Sequence, residues 1–450
     1  MNRENIKIRN VISNIITLII LIIAIVIYKQ YDFNFFIKGI QETGKTSFSR
    51  DYKVKASNSK SYKIENKQYN DAMFYKEIEV TPNTPYKVTC KIKTENVVGK
   101  DSKNLAGAQI CLTKTEEHSA VLTGDNDWTL VEFMFNSKNN NKVEIGFRLG
   151  GNFAEASGTA WFSDITLEKG MAGDSSTWNF GCFLINSADV MIGNDEIKVT
   201  LSNDEKATIS RDLIRLERSI KEMSNNKMDI NYEIVEINDT LTSLSYDDVN
   251  GYYISEADVY KLIAPYVLQK EFDHVFVCTN LPLESELTND ENIAEWIGLG
   301  NMMFLGKGFS NIRITSLEYK YSSQNTFPEE VFLHEFLHTL ERNAEEYGYE
   351  RPALHDYKEY GYEDDRYDGQ RKWYMDYMNK NIYNNGEYIG LPSEVYILKP
   401  VKESNFEYSY KLDLLDEPHN IIEEIKSVIE KIKFLFRNKA IVYNTEGVTK

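Results

Sequence analysis

The stretch Val331-Phe-Leu-His-Glu-Phe-Leu-His-Thr-Leu-Glu341 decides how the second half of the chain is interpreted. Phe332, Phe336 and Leu340 fall on one stripe of a helix, and the two leucines between them widen that stripe. The pattern therefore predicts a largely buried helix that also carries two histidines and a glutamate. Because burying such groups without partners is costly, the sequence indicates a metal ion as the partner.

The two histidines of this helix have the spacing of metal ligands. His334 and His338 are four residues apart, so both imidazoles project from one face and can hold one tetrahedral cation. Glu335 is rotated by about 100° from His334 and can reach a metal-bound water without ligating the metal. Imidazole ligands favour zinc, which activates water for attack on a peptide carbonyl while the carboxylate takes the proton. The alternative, a helix that exposes these groups to solvent, is disfavoured by the apolar flanks.

The segment before this helix alternates between strand and helix patterns. The alternation predicts a mixed α/β layer, within a domain of α+β class over residues 175 to 450. The predicted strands and helices are Phe180 to Asn186, Asp204 to Met223, Ile230 to Ile237, Ser255 to Tyr266 and Asp273 to Thr279.

The motif His334-Glu335-Phe-Leu-His338 resembles the zincin metallopeptidase clan. The resemblance implies a mixed sheet packed on the helix and an antiparallel edge strand that pairs with extended substrate. Trp296 to Phe304 falls where such a strand would lie. It also implies one Zn²⁺ per chain and Glu335 as the general base.

The third zinc ligand departs from the named zincin subfamilies. Metzincins place glycine and histidine where this chain has Glu341 and Ala344, so that subfamily is disfavoured. Gluzincins take a glutamate from a following helix, for which Glu359 and Glu363 are available. The subfamily therefore remains open.

His355 is predicted as the third ligand, since it follows Arg-Pro in a loop that returns from the helix. Asp356 is the alternative: it precedes a Tyr-Gly pair as in aspzincins, although the spacing differs by one. Glu341 is expected to support a ligand histidine rather than bind the metal. Tyr360 and Tyr362 are candidates for stabilising an oxyanion.

Residues 61 to 170 show short alternating segments separated by turn residues, which predicts an antiparallel sandwich or jelly roll. The predicted strands are Phe74 to Val80, Tyr86 to Thr94, Ala108 to Thr113, Thr129 to Phe135, Lys142 to Leu149 and Thr159 to Leu167.

Three stretches of this region resemble carbohydrate-binding modules: Val80-Thr-Pro-Asn-Thr-Pro-Tyr-Lys-Val, Asp127-Trp128-Thr, and Gly158-Thr-Ala-Trp161-Phe162-Ser-Asp164-Ile-Thr-Leu. The resemblance implies a possible glycan ligand and a structural Ca²⁺. Trp128 and Trp161 lie in strand patterns, where core packing is the commoner role.

The N-terminus has an uncharged, apolar run over residues 11 to 28, which would span about 27 Å as a helix. Basic residues dominate residues 1 to 10, so this end is predicted to be a cytoplasmic tail that precedes a signal anchor. A cleaved signal peptide is the alternative, but no small-residue cleavage site follows. Residues 29 to 60 are interpreted as a linker.

The formal charge of −18 disfavours nucleic acid as a partner. The four cysteines are too scattered for a disulfide scaffold and are expected to be buried thiols. We therefore expect a zinc metallopeptidase anchored in the cell membrane, with its catalytic domain extracellular and a peptide or glycoprotein substrate. The alternatives are a surface glycan-binding adhesin with a structural or inactive metal site, and a cell-wall amidase.

Overall fold

The structure, a computed structural model, describes most of the chain between the two termini. Described are residues 17, 20, 37–38, 46–57, 60–100, 105–283, 287, 296–314, 327–362, 369–407 and 410–413. The predicted anchor, residues 11 to 28, lies outside the described residues except for Thr17 and Ile20. Within the described part, no helix has the length and apolar character needed to cross a bilayer.

The chain divides into two compact units. One consists of Met1–Lys38 together with Asp413–Lys450, and it includes the short strand β1 (Ile37–Lys38). The other is Gly39–Leu412. All the packing described below belongs to this second unit, which contains both the predicted sandwich and the predicted catalytic region.

The first part of the second unit is a two-sheet antiparallel sandwich. Its strands are β2 (Thr46–Asp51), β3 (Ser61–Asn70), β4 (Ala72–Glu79), β5 (Pro85–Gly99), β6 (Gly107–Leu112), β7 (Gly124–Asn136), β8 (Lys142–Gly150) and β9 (Ala156–Lys169). One sheet has the order β2-β3-β9-β5-β7, and the facing sheet contains β4-β8-β6. The predicted strands are confirmed, because alternation and turn residues specify antiparallel strands locally.

Aromatic side chains join the two sheets. Tyr62 on β3 contacts Phe74 on β4, with ring centroids 5.7 Å apart, and Phe147 on β8 lies 5.9 Å from Phe162 on β9. Burying each such ring stabilises the fold by about 1.5–3 kcal/mol. Phe48 adds a ring 5.0 Å from Phe74, so β2 belongs to the sandwich although it falls within the predicted linker.

The second part of the unit is built around a five-stranded sheet. The strands of this part are β10 (Thr177–Ile185), β11 (Ser187–Ile192), β12 (Asp195–Thr200), β13 (Asp229–Ile237), β14 (Ser245–Asp247), β15 (Gly251–Tyr253), β16 (His274–Thr279), β17 (Gly298–Phe304), β18 (Lys307–Arg313), β19 (Ile382–Asn384) and β20 (Glu387–Ile389). The strand β21 (Tyr410–Asp413) pairs with β9 of the sandwich instead. The central sheet has the order β13-β10-β16-β18-β17. The first four strands in that order are parallel, and β17 runs antiparallel to β18 at the edge. The helices are α1 (Asn203–Met223), α2 (Glu256–Val267), α3 (Glu330–Glu346) and α4 (Gly369–Met378).

Helices cover both faces of this sheet. Cys182 and Leu184 of β10 face a core formed with α1, α3 and α4. Phe183 and Ile185 face a second core formed with α2. Successive residues of a strand point to opposite faces, so one strand supplies both cores. The predicted mixed α/β layer is therefore present, with its parallel strands covered on both faces, which departs from the α+β class given to the whole domain.

The sandwich packs directly on the α/β region through buried polar contacts. His118 Nε2 lies 3.2 Å from Glu256 at the start of α2. Lys138 pairs with Glu117 of the sandwich and lies 2.8 Å from Glu346 at the end of α3. These charge pairs hold the sandwich against α2 and α3.

Candidate metal centre

Helix α3 is fixed by its apolar face. Phe336 contacts Trp178, with ring centroids 5.1 Å apart, and Phe180, with ring centroids 4.7 Å apart. The predicted stripe of Phe332, Phe336 and Leu340 is fully buried. Because the helix is anchored on this side, its histidine face is directed away from the sheet.

Three histidines converge beside α3. His338 Nε2 lies 3.2 Å from His334 Nε2 and 3.2 Å from His355 Nε2. The ligand atoms of the three all lie within 4.8 Å of one another, and no other group of at least three potential ligands occurs within the described ranges. The loop after α3 therefore brings the predicted third ligand to the predicted pair.

The separations match the requirements of a tetrahedral cation. With Zn–N bonds of about 2.0–2.1 Å, tetrahedral ligand atoms lie about 3.3 Å apart. Two of the three nitrogen separations are 3.2 Å. His355 is the exposed member of the group, so its ring is the one with freedom to close the third side.

A hydrogen-bond chain sets the tautomer of His334. Tyr374 donates its hydroxyl hydrogen to Glu330 Oε1 at 2.7 Å. The Tyr374 oxygen, 3.0 Å from His334 Nδ1, therefore accepts the Nδ1 hydrogen. A neutral His334 then carries its lone pair on Nε2, directed at the other histidines.

Glu341 sets the tautomer of His338 in the same way. Its Oε2 lies 2.9 Å from His338 Nδ1, and its Oε1 accepts the backbone N–H of Leu354 at 2.9 Å. Burial alone would raise the pKa of Glu341, but the hydrogen bonds from His338 and Leu354 and the charge of Arg351 lower it. Glu341 thus orients one ligand and anchors the loop that carries His355, consistent with the supporting role predicted for it.

The lone pairs of His334 and His338 consequently face each other across 3.2 Å. Two such lone pairs repel unless a proton or a cation lies between them. The donor set fits Zn²⁺, which accepts neutral imidazole nitrogens whose other ring nitrogen is held by a carboxylate or hydroxyl.

Glu335 lies between the helix and the edge strand β17. Its side chain is 5% exposed, and the backbone N–H of Gly300 donates to its carboxylate. Burial raises the pKa of Glu335 well above its usual range. A Cβ on Gly298 would meet Glu335 Oε1 at 2.5 Å, so glycine is needed there for β17 to approach the carboxylate this closely.

A cleft of about 920 Å³ opens over these residues. Residues Gly298 to Met302 of β17 form one wall, and His334, Glu335 and His338 lie among the residues of the other. Among the described strands, β17 pairs only with β18, so its other edge has no strand partner there. The predicted edge strand is therefore present beside the histidines.

The other predicted residues lie elsewhere. Asp356 accepts a hydrogen bond from the backbone of Ala353 at 3.1 Å and is not part of the histidine group. Tyr360 stacks on Trp373, with ring centroids 5.9 Å apart, and Tyr362 donates to Asp376 at 2.7 Å. Glu359 is exposed, and Glu363 lies outside the described residues.

Sequence reasoning missed Glu330 and Tyr374, which fix the tautomer of His334. Glu330 carried a usable signal, since it lies four residues before His334 on the same helix face. Tyr374 carried none, because only tertiary packing brings α4 against α3.

In the sandwich, Trp161 is 4% exposed and donates its indole N–H to Asp51 at 3.1 Å. Its predicted core role is confirmed, whereas Trp128 is half-buried. The four cysteines are free and buried, as predicted. Calcium in the sandwich stays a prediction.

Comparisons with known proteins cover only parts of the chain. No family model matches it. A tRNA(Glu)-specific nuclease WapA from Bacillus subtilis subsp. natto (strain BEST195) is 32% identical over 113 residues. That match covers 23% of this chain and 4% of the nuclease, so the chain spans a small fraction of that relative's length.

Solved structures with a similar fold include several carbohydrate-binding modules. A family 4 module is 17% identical and covers 28% of this chain and 80% of its own, with a TM-score of 0.20. A family 61 module in complex with β-1,4-galactotriose is 12% identical, covers 29% and 86%, and has a TM-score of 0.21. A family 11 module from Clostridium thermocellum is 11% identical, covers 29% and 86%, and has a TM-score of 0.19. With these low scores, the sandwich assignment is based on the strand pairing itself, and the chain is similar to these modules in its β-rich sandwich.

Proposed function

We propose that the α/β region is a zinc-dependent peptidase. The observation that carries this proposal is the convergence of three imidazole nitrogens, two of them with their tautomers fixed, beside a buried glutamate in an open cleft. His334, His338 and His355 would hold the ion. A bound zinc supplies a Lewis acid that polarises a carbonyl oxygen and activates water.

The remaining roles belong to residues of the cleft wall. The free edge of β17 is available to pair with the backbone of an extended peptide, which would lay the peptide across the three histidines. Glu335 lies against this same strand and takes a proton from the attacking water before passing it to the leaving amine. An amide of the cell wall is the other substrate class that this chemistry serves.

The decisive experiment compares the full-length chain with its Glu335→Gln variant. We expect the unchanged protein and the Glu335→Gln variant each to bind one zinc per chain. Of these two, only the unchanged protein should hydrolyse a peptide library. Glu350→Gln is the matched control, because Glu350 is exposed and the substitution removes the same charge. Equal hydrolysis by the Glu335→Gln variant would reject the general-base role, and hydrolysis by none of the three would reject the peptidase.

Anchoring of this region at the outer face of the cell membrane by residues 11 to 28 is part of the proposal. Its support is the uncharged apolar run and the basic residues before it. External protease added to intact cells should then degrade the region from Gly39 to Leu412, and full protection in intact cells would contradict this orientation.

The second candidate function is glycan binding by the sandwich, with or without hydrolysis elsewhere. It is supported by the sandwich topology and by the exposed aromatic ring of Phe153, which is 98% exposed between β8 and β9. Aromatic rings provide stacking faces for sugars. We expect a glycan-array signal from the full-length chain that falls at least tenfold in Phe153→Ala, and an unchanged signal would exclude this ring as the platform.

A further inference from the structure

The hairpin β14–β15 forms part of the cleft wall. Asp247, Asn250 and Tyr253 line the cleft together with the first residues of β17. The hairpin thus supplies polar side chains beside the edge strand on which, under the proposed function, a peptide would lie.

This hairpin is attached to the sheet through hydrogen bonds. Trp296 Nε1 donates to the carbonyl of Asn250 at 3.1 Å, and Arg313 Nη2 donates to the carbonyl of Tyr252 at 2.8 Å. The Arg313 guanidinium lies 3.7 Å from the centre of the Trp296 ring. These contacts tie the hairpin to the start of β17 and the end of β18, so its side chains hold fixed positions in the cleft.

The carboxylates of the cleft differ in their hydrogen-bond partners. Glu330, Glu335 and Glu341 are engaged by Tyr374, Gly300 and His338 respectively. That leaves one further carboxylate in the described wall, which belongs to the hairpin.

Asp247 has hydrogen-bond donors but no cationic partner. Its Oδ1 accepts the backbone N–H groups of Val249 and Asn250 at 2.9 and 2.7 Å, and its Oδ2 accepts the Asn250 side chain at 3.0 Å. The Tyr253 hydroxyl is a further hydrogen-bond donor to this carboxylate. These neutral donors, the Asn250 side chain first, lower the pKa of Asp247. No lysine or arginine of the described chain forms an ion pair with it, so its negative charge is not compensated.

The described lining of the cleft contains carboxylic acids but no lysine or arginine. The four acids are Asp247, Glu330, Glu335 and Glu341. Tyr253 adds an aromatic ring beside Asp247, and both the ring face and the carboxylate attract a cation.

We propose that Asp247 and Tyr253 of the hairpin form a subsite that selects a lysine or arginine side chain of the peptide substrate. The substrate class is therefore a cationic peptide, and this inference rests on the proposed function for its choice of a peptide. The acceptors of Asp247 hold the hairpin turn as well, so the test uses asparagine, which keeps the shape and one acceptor and removes the charge.

The test measures binding and hydrolysis separately. The probes are two fluorescent decapeptides, one alternating Lys with Ala and one alternating Glu with Ala. Their dissociation constants are measured by anisotropy on the full-length, zinc-loaded Glu335→Gln protein. We expect the lysine peptide to bind at least tenfold tighter, and Asp247→Asn to reduce that ratio at least threefold. Asp127→Asn, which removes an exposed carboxylate from the sandwich, should leave the ratio unchanged.

The outcomes are separable. Equal binding of the two peptides, or a ratio that falls equally in Asp247→Asn and Asp127→Asn, overturns the subsite. A lysine preference that depends on Asp247, with no hydrolysis of either peptide by the unchanged protein, supports the subsite and overturns the proposed peptidase. If the unchanged protein hydrolyses the lysine peptide at least tenfold faster than the glutamate peptide, the result supports both the subsite and the proposed peptidase.

Discussion

The sandwich and the α/β region both bury charged or polar side chains, but they satisfy them differently. In the sandwich, Arg148 Nε donates to Asp71 at 2.7 Å, and the two side chains form a closed pair. In the α/β region, the Nε2 lone pairs of two histidines are directed at each other. Closed pairs indicate a structural role, whereas convergent lone pairs indicate a ligand site.

The difference also accounts for how each region is built. The sandwich is held together by its closed pair and by aromatic contacts between the two sheets. The α/β layer places its converging histidines and the buried Glu335 at the edge of the sheet, where β17 and α3 meet and a cleft opens. Substitutions in the sandwich should therefore change the free energy of unfolding, whereas substitutions at the metal centre should change the zinc content.

The largest effect should follow from removing a ligand histidine. His334→Ala should reduce the zinc content of the full-length chain from about one ion to nearly none, because two imidazoles hold zinc far more weakly than three. Elemental mass spectrometry after dialysis measures this metal content. His118→Ala, which removes a histidine of the sandwich, should retain its zinc, and loss of metal in both variants would contradict the assignment.

The next effect concerns the closed pair of the sandwich. Arg148→Ala removes the guanidinium that pairs with the buried Asp71 carboxylate, which should lower the free energy of unfolding by about 3–5 kcal/mol. Urea unfolding, followed by a spectroscopic signal of the sandwich, measures this change in the free energy of unfolding. The zinc content should not change. Lys142→Ala, which breaks an exposed pair with Glu77, should leave unfolding nearly unaltered. If Arg148→Ala lowered the zinc content without changing the free energy of unfolding, the structural role given to this pair would be contradicted.

A smaller effect is expected from the groups that orient the ligands. Tyr374→Phe removes the acceptor of the His334 Nδ1 hydrogen and should weaken zinc affinity about 10- to 100-fold. Competition with a chelator of known affinity measures it. Tyr377→Phe is the matched control on the same helix, because the Tyr377 hydroxyl has no hydrogen-bond partner in the described structure. Equal weakening in both variants would show that α4 packing, rather than the hydroxyl, supports the site.

The smallest effect is a pH dependence at the contact between the regions. Burial alone would lower the pKa of His118, but Glu256 and the carbonyl of Ser119 raise it above 6.5. A raised pKa in the folded state stabilises the fold below the unfolded pKa, and this contribution is lost as the pH rises through the folded pKa.

His118→Asn should therefore cost on the order of 1 kcal/mol more unfolding free energy at about pH 5.5 than at about pH 9. Urea unfolding of the variant and the unchanged protein at both pH values measures the difference. A cost that is larger at high pH would show that the histidine is neutral in the folded contact.

Much of both regions could be predicted from the sequence, where patterns are local. The long sandwich strands and three of the four parallel strands, β10, β13 and β16, follow from alternation, apolar runs and turn residues. The helix with His334 and His338 follows from its period and spacing. His355 was reached by its residue type and its position in a returning loop, a weaker argument that the structure's geometry now supports.

Features made by tertiary contact could not be predicted in this way. The strands β14 and β15 have three residues each, too few to show a period. Their place in the cleft depends on hydrogen bonds from Trp296 and Arg313, which lie about 45 to 60 residues further along the chain. The alternation of strands and helices predicted a mixed α/β layer, but not that helices would cover both faces of its sheet.

The most direct test of the metal centre is X-ray diffraction from crystals of the full-length, zinc-loaded protein at the zinc absorption edge. We predict one anomalous peak per chain, about 2.0–2.1 Å from the Nε2 atoms of His334, His338 and His355. A peak that Asp356 ligates in place of His355 would correct the third ligand. The absence of any peak between the three rings, in crystals grown with zinc, would contradict the central claim.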